Sequence, residues 1–148
     1  MARISVVVPV YNVEEYLREC LQSVADQSFK DLEVVMVDDG STDSSPAIAQ
    51  EFAGRDERFR VVTQANGGLG NARNNGAAIA TGEFLNFLDS DDVLPRHAIR
   101  MLVRSLDKTG SDFATGNVHR FGLGGTSPAP FVARAFGRNR PATHITKF

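Results

Sequence analysis

Residues 3–38 read "RISVVVPVYNVEEYLRECLQSVADQSFKDLEVVMVD", and their pattern sets the fold class. "RISVVVPV" is a β-branched run of strand length ended by Pro9. "VEEYLRECLQSVADQSF" then carries Val13, Tyr16, Leu17, Cys20, Leu21 and Val24 at helical spacing. "LEVVMV" is a second buried strand, closed by the turn residues of "DDGSTD". A strand, a helix and a second strand without polar alternation make a right-handed βαβ unit in a parallel sheet covered on both faces.

The alternation continues. "SSPAIAQEFA" predicts a helix with Ser44 or Ser45 as N-cap and Pro46 in the first turn. "FRVVTQ" is a third strand, and the loop "ANGGLG" leads into a helix over "NARNNGAAIA". "GEFLNFL" is a fourth strand, and "PRHAIRMLVRSLDKTG" is a helix closed by Gly110. "DFATGNVHRF" reads as a fifth strand. The fold class is α/β, a Rossmann-like and mostly parallel sheet flanked by helices. Its first four strands should be parallel.

The 148 residues, 42% hydrophobic and 23% charged, suit one compact domain. A formal charge of −2 implies no nucleic-acid partner. A single cysteine excludes an intrachain disulfide; Cys20 lies on the apolar stripe and reads as a packed thiol in a reducing, cytoplasmic setting. No apolar run approaches a membrane span of about 18 residues, and the first residues are too short for a signal peptide.

Polar clusters follow each strand: "PVYN", "DDGS", "GGLGNARN" and "DSDD". Ligands of open α/β sheets bind beyond the carboxyl ends of the strands. "PVYN", "DDGS" and "DSDD" should therefore converge within about 10 to 15 Å, two or three strand spacings. The last of them crowds Asp89, Asp91 and Asp92 into four positions. An EF-hand loop counted from Asp89 would need Gly at position 94 and an acid at position 100, where Leu94 and Arg100 stand. D-x-D on a short loop instead suits Mg²⁺ or Mn²⁺, which complete their shell with water and substrate phosphates. The bland alternative is a solvated turn, with Asp92 capping the next helix.

"GGLGNAR" fails the dinucleotide fingerprint, because Arg73 stands where Gly or Ala is required and the segment does not follow the first strand. Arg73 on the first turn of a helix still suits phosphate oxygens. Asp39 at a strand end could accept from a base N–H. Tyr11 is either a core ring or a flat face for a nucleobase. Asn12 reads as the cap of the first helix, Glu14 as a first-turn acid that favours the dipole, and Ser41 and Asp43 as turn residues. His97, His119 and His144 show no ligand spacing.

Together, "ISVVVPVYNVEEYLRECLQSV", "DLEVVMVDDGSTDSS", "NGGLGNARNNG" and "GEFLNFLDSDDVL" resemble the family 2 glycosyltransferases of GT-A fold over roughly residues 3 to 106. The resemblance implies an inverting, nucleotide-sugar-dependent enzyme of cell-envelope polysaccharide synthesis. Pro9 and Tyr11 would border the base, Asp39 would accept from it, and Arg73 would help hold the nucleotide. Val10, Glu14 and Ser90 complete the implied donor set. Asp89 would lie by the ribose or the metal's water shell, and Asp91 would bind Mg²⁺ or Mn²⁺. The acceptor would be a glycan, a lipid-linked or a polyol-phosphate hydroxyl. Peripheral association with the inner membrane face and a homo-oligomer both stay open.

One departure concerns the catalytic base, which such enzymes take from their later part. No Asp or Glu follows Asp112, while Arg120, Arg134, Arg138, Arg140 and Lys147 are basic. The chain therefore reads as a nucleotide-sugar-binding domain over residues 1–120. A basic, Gly- and Pro-containing tail over 121–148 would lead to an acceptor part beyond it. Residues 113–148 should be poorly ordered past the fifth strand, or ordered by another chain. Three rivals remain. A nucleotidyltransferase should carry a Gly- and Arg-rich loop where "PVYNVEE" stands. A receiver domain needs acids after the first strand. A nucleotide-binding module without catalysis is the runner-up.

Overall fold

The computed structural model describes residues 2–116, 119–122, 125–128 and 143–144. The chain divides into two compact units, Met1–Arg96 and His97–Phe148. The first is built from β1 (Ile4–Val10), α1 (Glu14–Ala25), β2 (Leu32–Asp38), α2 (Ser45–Arg55), β3 (Phe59–Thr63), α3 (Leu69–Ile79) and β4 (Phe84–Phe87). Its four strands form one sheet in the order β3-β2-β1-β4, every neighbouring pair parallel.

That order follows from the connections. The crossovers carrying α1 and α2 both step outward, from β1 to β2 to β3, so right-handedness puts these helices on one face. The α3 crossover runs back from β3 to β4 past β2 and β1, so it lies on the other face. There Val7, Val35 and Val37 meet Ala72 of α3 in a buried cluster. β1 is buried along its whole length, as its unbroken apolar run requires.

β1 runs one residue past Pro9, to Val10, which corrects the strand end read from the sequence. The proline acts elsewhere. Leu88 N–H donates to Val7 O at 3.0 Å, and pairing of β1 with β4 ends at Val7 and Phe87. The next bond on that side would need an N–H from Pro9, which has none. The two strands part there, opening the carboxyl edge where the strand order reverses.

α3 starts at Leu69, two residues before the expected "NAR", with Gly68 as N-cap at φ 84. Only glycine adopts that backbone freely. Arg73 therefore sits in the second turn, not at the helix start.

In the second unit, α4 (Ala98–Thr109) buries Ile99, Val103 and Leu106 and ends at Gly110 (φ 62), whose N–H donates to Leu106 O at 2.8 Å. The single fifth strand expected over "DFATGNVHRF" is two described pieces, β5 (Thr115–Gly116) and β6 (His119–Gly122). β6 pairs antiparallel with β7 (Gly125–Pro128), and β5 with β8 (Thr143–His144). β7 and β8 fall within the segment read from the sequence as a basic tail. The expectation of poor order otherwise falls on residues outside those described. Among the described residues no helix is long and apolar enough to cross a membrane.

Candidate nucleotide-binding site

The first two polar loops are laced together. At the start of α1, Val13 N–H donates to Ser45 Oγ at 3.0 Å and Glu14 N–H to Asp43 Oδ2 at 3.0 Å. At the start of α2, Ser44 N–H donates to Glu14 Oε2 at 2.8 Å and Ser45 N–H to Asp43 Oδ1 at 2.9 Å. The start of each helix thus supplies an acceptor to the other, and Asp43 serves its own helix as well. Ser44 does occupy the N-cap of α2, but without a side-chain bond.

Asn12 corrects the capping expectation. Val13 is the N-cap of α1, while Asn12, at φ 49, accepts from Thr42 N–H at 2.8 Å and donates its own N–H to Ser41 Oγ at 3.2 Å. The reversal at Asn12 leaves Tyr11 about half exposed (49%), so Tyr11 is not a core ring. Glu14 spends one carboxylate oxygen on Ser44.

Asp39 fastens the third loop. Its Oδ1 accepts from Gly67 N–H at 2.8 Å and Gln64 Nε2 at 2.7 Å, and its Oδ2 from Gly68 N–H at 2.8 Å. An amide ladder continues along α3, where Asn75 Nδ2 donates to Gln64 Oε1 at 2.6 Å and Asn71 Oδ1 at 2.8 Å. The Gly67 N–H above all, then Gln64 and Gly68, outweigh burial and hold the Asp39 carboxyl below its ordinary range. A depressed folded pKa means that the contribution is complete above the unfolded value of about 3.9 and is lost as pH falls through the folded value. Asp39→Asn is expected to lower stability at neutral pH and to flatten its dependence on pH below about 4, read from urea midpoints across that range. A wild-type acid limb unchanged by the substitution would show that loop three is held without this carboxylate.

In the fourth loop, Asp89 Oδ1 accepts from Arg73 Nη2 at 2.5 Å. Asp92 donates its N–H to Asp89 O at 3.0 Å, closing a turn. The cap of α4 is His97, so the expected role of Asp92 as that cap is corrected. Partial burial, then the charges of Asp91 and Asp89, push the Asp92 carboxyl above its ordinary range. Cys20 is buried, as its place on the stripe predicts; burial, with the charges of Asp92, Asp91 and Asp89, pushes its thiol up to about 12. It is inert at neutral pH.

The strand ends meet around one cavity of about 240 Å³. Pro9, Val10 and Tyr11 supply one wall, Asp39 and Gly68 another, Leu69 and Ala72 the α3 side, and Ser90 the β4 side. Asp91 is exposed and not among its walls, nor are Glu14, Arg73 and Asp89; Arg73 is linked to the acidic loop through Asp89. Among the described residues no group of three or more His, Cys, Asp or Glu could hold a metal by itself. Ser23 and Gln27, which hold the far end of the acidic loop, escaped the sequence reading. Their signal was a polar side chain in phase with the stripe of Cys20 and Val24.

A model of the family described as glycosyl transferase family 2 matches residues 5–143. Among curated proteins, the chain is 43% identical over 119 residues to glycosyltransferase GlyA of Streptococcus pneumoniae serotype 4 (strain ATCC BAA-334 / TIGR4), covering 80% of this chain and 17% of that one. Among solved structures it resembles S. aureus TarS 1-349 in complex with UDP-GlcNAc, at TM-score 0.76 and 34% identity, over 87% of this chain and 37% of that one. It also resembles the mannosyltransferase PcManGT from Pyrobaculum calidifontis in complex with GDP-Man and Mn²⁺, at TM-score 0.69 and 29% identity, over 80% and 36% of the two chains. The chain spans well under half the length of each of these relatives.

Proposed function

The chain belongs to glycosyl transferase family 2, and we propose that its sheet edge binds a nucleoside-diphosphate sugar whose sugar passes, with inversion, to an acceptor hydroxyl. Ligands of open α/β sheets bind beyond the carboxyl ends of the strands, which supports a donor site at that edge. The observation that carries the donor reading is the cavity shared by Tyr11, Asp39, Ala72 and Ser90. About 240 Å³ lies below the usual ligand-pocket range of about 300–1,000 Å³, so it suits a base, with diphosphate and sugar lying outside it.

Each residue then has a task. Tyr11, half exposed at the cavity rim, offers a ring face for stacking. Asp39 accepts three N–H bonds, and a carboxylate has about four acceptor positions, so one remains for a base N–H. Arg73 orients Asp89 and brings positive charge to the diphosphate side.

Asp89 and Asp91 are hard oxygen donors of the kind Mg²⁺ and Mn²⁺ take, and their small number fits ions that complete their shell with phosphates and water. Burial first, then the charges of Asp91 and Asp89, raise Asp92, and a cation there would relieve the charge part. Bound there, the ion would supply charge neutralisation for the departing diphosphate. Asp39 is committed to loop three, and no acid follows Asp112. As the family resemblance implies, the base for the acceptor proton would then come from outside these residues. The same missing acid favours a second reading for these residues by themselves, donor binding without transfer.

The test is a thermal-shift panel of nucleoside diphosphates and nucleotide-sugars, with and without Mn²⁺. A ligand at about 100 times its dissociation constant adds about 2.7 kcal/mol of stability. One base series should produce that gain, and more strongly with Mn²⁺. No shift from any nucleotide would reject the donor site.

A further inference from the structure

One face of α1 carries side chains that the donor site does not use. Cys20, Ser23 and Gln27 follow one another at steps of three and four, which aligns them along the helix and its final turn. All three bond the segment that bears the acidic loop. Cys20 Sγ lies 3.6 Å from Asp89 O as donor. Ser23 Oγ donates to Cys20 O at 2.6 Å and accepts from Leu94 N–H at 3.1 Å. Gln27 Nε2 donates to Pro95 O at 2.8 Å, Leu94 O at 3.4 Å and Ser23 O at 3.0 Å. The main chain adds Ser28 N–H to Arg96 O at 2.9 Å. Both ends of the loop are tied to α1, while Asp91 between them stays exposed.

Gln27 is fully buried. An apolar side chain of similar volume would fill that space without demanding partners, whereas a buried amide costs stability unless it is bonded. The three acceptors are carbonyls, so only the amide nitrogen can face them, and that fixes its orientation. What glutamine adds over methionine is therefore a fixed position for residues 94 and 95. We propose that Gln27 is a positioning residue, which through the Leu94 and Pro95 carbonyls aims Asp89 and Asp91 toward the donor's diphosphate side, where they would hold a divalent cation. The inference rests on the nucleotide-sugar reading above.

Gln27→Met keeps the volume and removes the donors; Ser23→Ala frees the Leu94 amide and favours the helix. Two measurements decide the matter. Amide hydrogen exchange of the ligand-free 148-residue chain reports the loop itself. Calorimetric titration with UDP and with GDP, each with and without Mn²⁺, reports its aim.

In Gln27→Met, the Asp92 and Leu94 amides should exchange much faster while those of β1 and β2 do not. Mn²⁺-dependent nucleotide affinity should fall about tenfold, the usual scale for outer partners of metal ligands, while metal-free affinity stays the same. Ser23→Ala should move both readouts the same way, most directly at the Leu94 amide that it frees, and it carries both measurements if Gln27→Met does not fold. Equal losses with and without Mn²⁺, or a lower melting temperature with unchanged loop exchange, would make Gln27 a core residue only and overturn the proposal. Should the unaltered chain bind neither nucleotide, the donor reading fails first. Loop exchange then decides alone: fast amides confined to the loop uphold the clamp, and slow ones reject it.

Discussion

Asp91→Asn is expected to remove Mn²⁺-dependent nucleotide binding while leaving the ligand-free chain about as stable as before. Asp91 is exposed, so the substitution leaves no cavity and no buried unpaired group. Its charge works against its surroundings, since it helps push Asp92 and the Cys20 thiol upward. Asparagine keeps the shape and removes that repulsion, so the ligand-free melting temperature should hold or rise slightly. What it loses is the anionic donor that a hard divalent cation needs. In a titration that gives the unaltered protein about 2.7 kcal/mol from Mn²⁺ and nucleotide at 100 times the dissociation constant, the variant should gain almost none of it. Equal Mn²⁺-dependent affinity in both proteins would return the acidic cluster to a solvated turn.

Much of the first unit could be read from local pattern. β1 and β2 are unbroken apolar runs, α1 shows its stripe, and the polar clusters stand after strands. These features depend on periods of two and 3.6 residues, which any short window displays. Side-chain partners were illegible because they are distant in sequence. Asn12 looks like a cap beside its own helix, yet its acceptor is spent on Thr42, thirty residues away. Asp39 looks free to meet a ligand, yet three of its bonds go to loop three. Gln27 looks like an ordinary polar residue near the end of a helical stretch, and only the fold brings Leu94 and Pro95 to it. Strand ends thus locate a site from sequence, but which of its acids hold the scaffold and which face outward follows from the closed fold.

The largest loss of stability is expected from Gly76→Val. Ala72 and Gly76 are the buried residues of α3, one turn apart, and they set its distance from the sheet. A Cβ at Gly76 would stand 2.4 Å from Val7 Cγ1 and 3.0 Å from Val37 Cγ2, inside contact distance. Val7 and Val37 are fully buried and have one stiff torsion each, so neither can step aside. Overpacking a closed core costs about 1–3 kcal/mol, and three added carbons at such distances belong at the upper end, about 3 kcal/mol. α3 must rise from the sheet, carrying Ala72 from the cavity wall and Arg73 from Asp89, so nucleotide binding should weaken with stability. Gly76→Ala separates packing from helix propensity, because alanine favours a helix over glycine by about 1 kcal/mol and should still destabilise here. Trimming the opposing side chain supplies the control. Adding Val7→Ala to Gly76→Val should recover more than about 1 kcal/mol relative to the sum of the single changes, read from urea midpoints. Strict additivity would mean that α3 does not rest on Val7, and the close seat of this helix would no longer explain how Arg73 reaches the acidic loop.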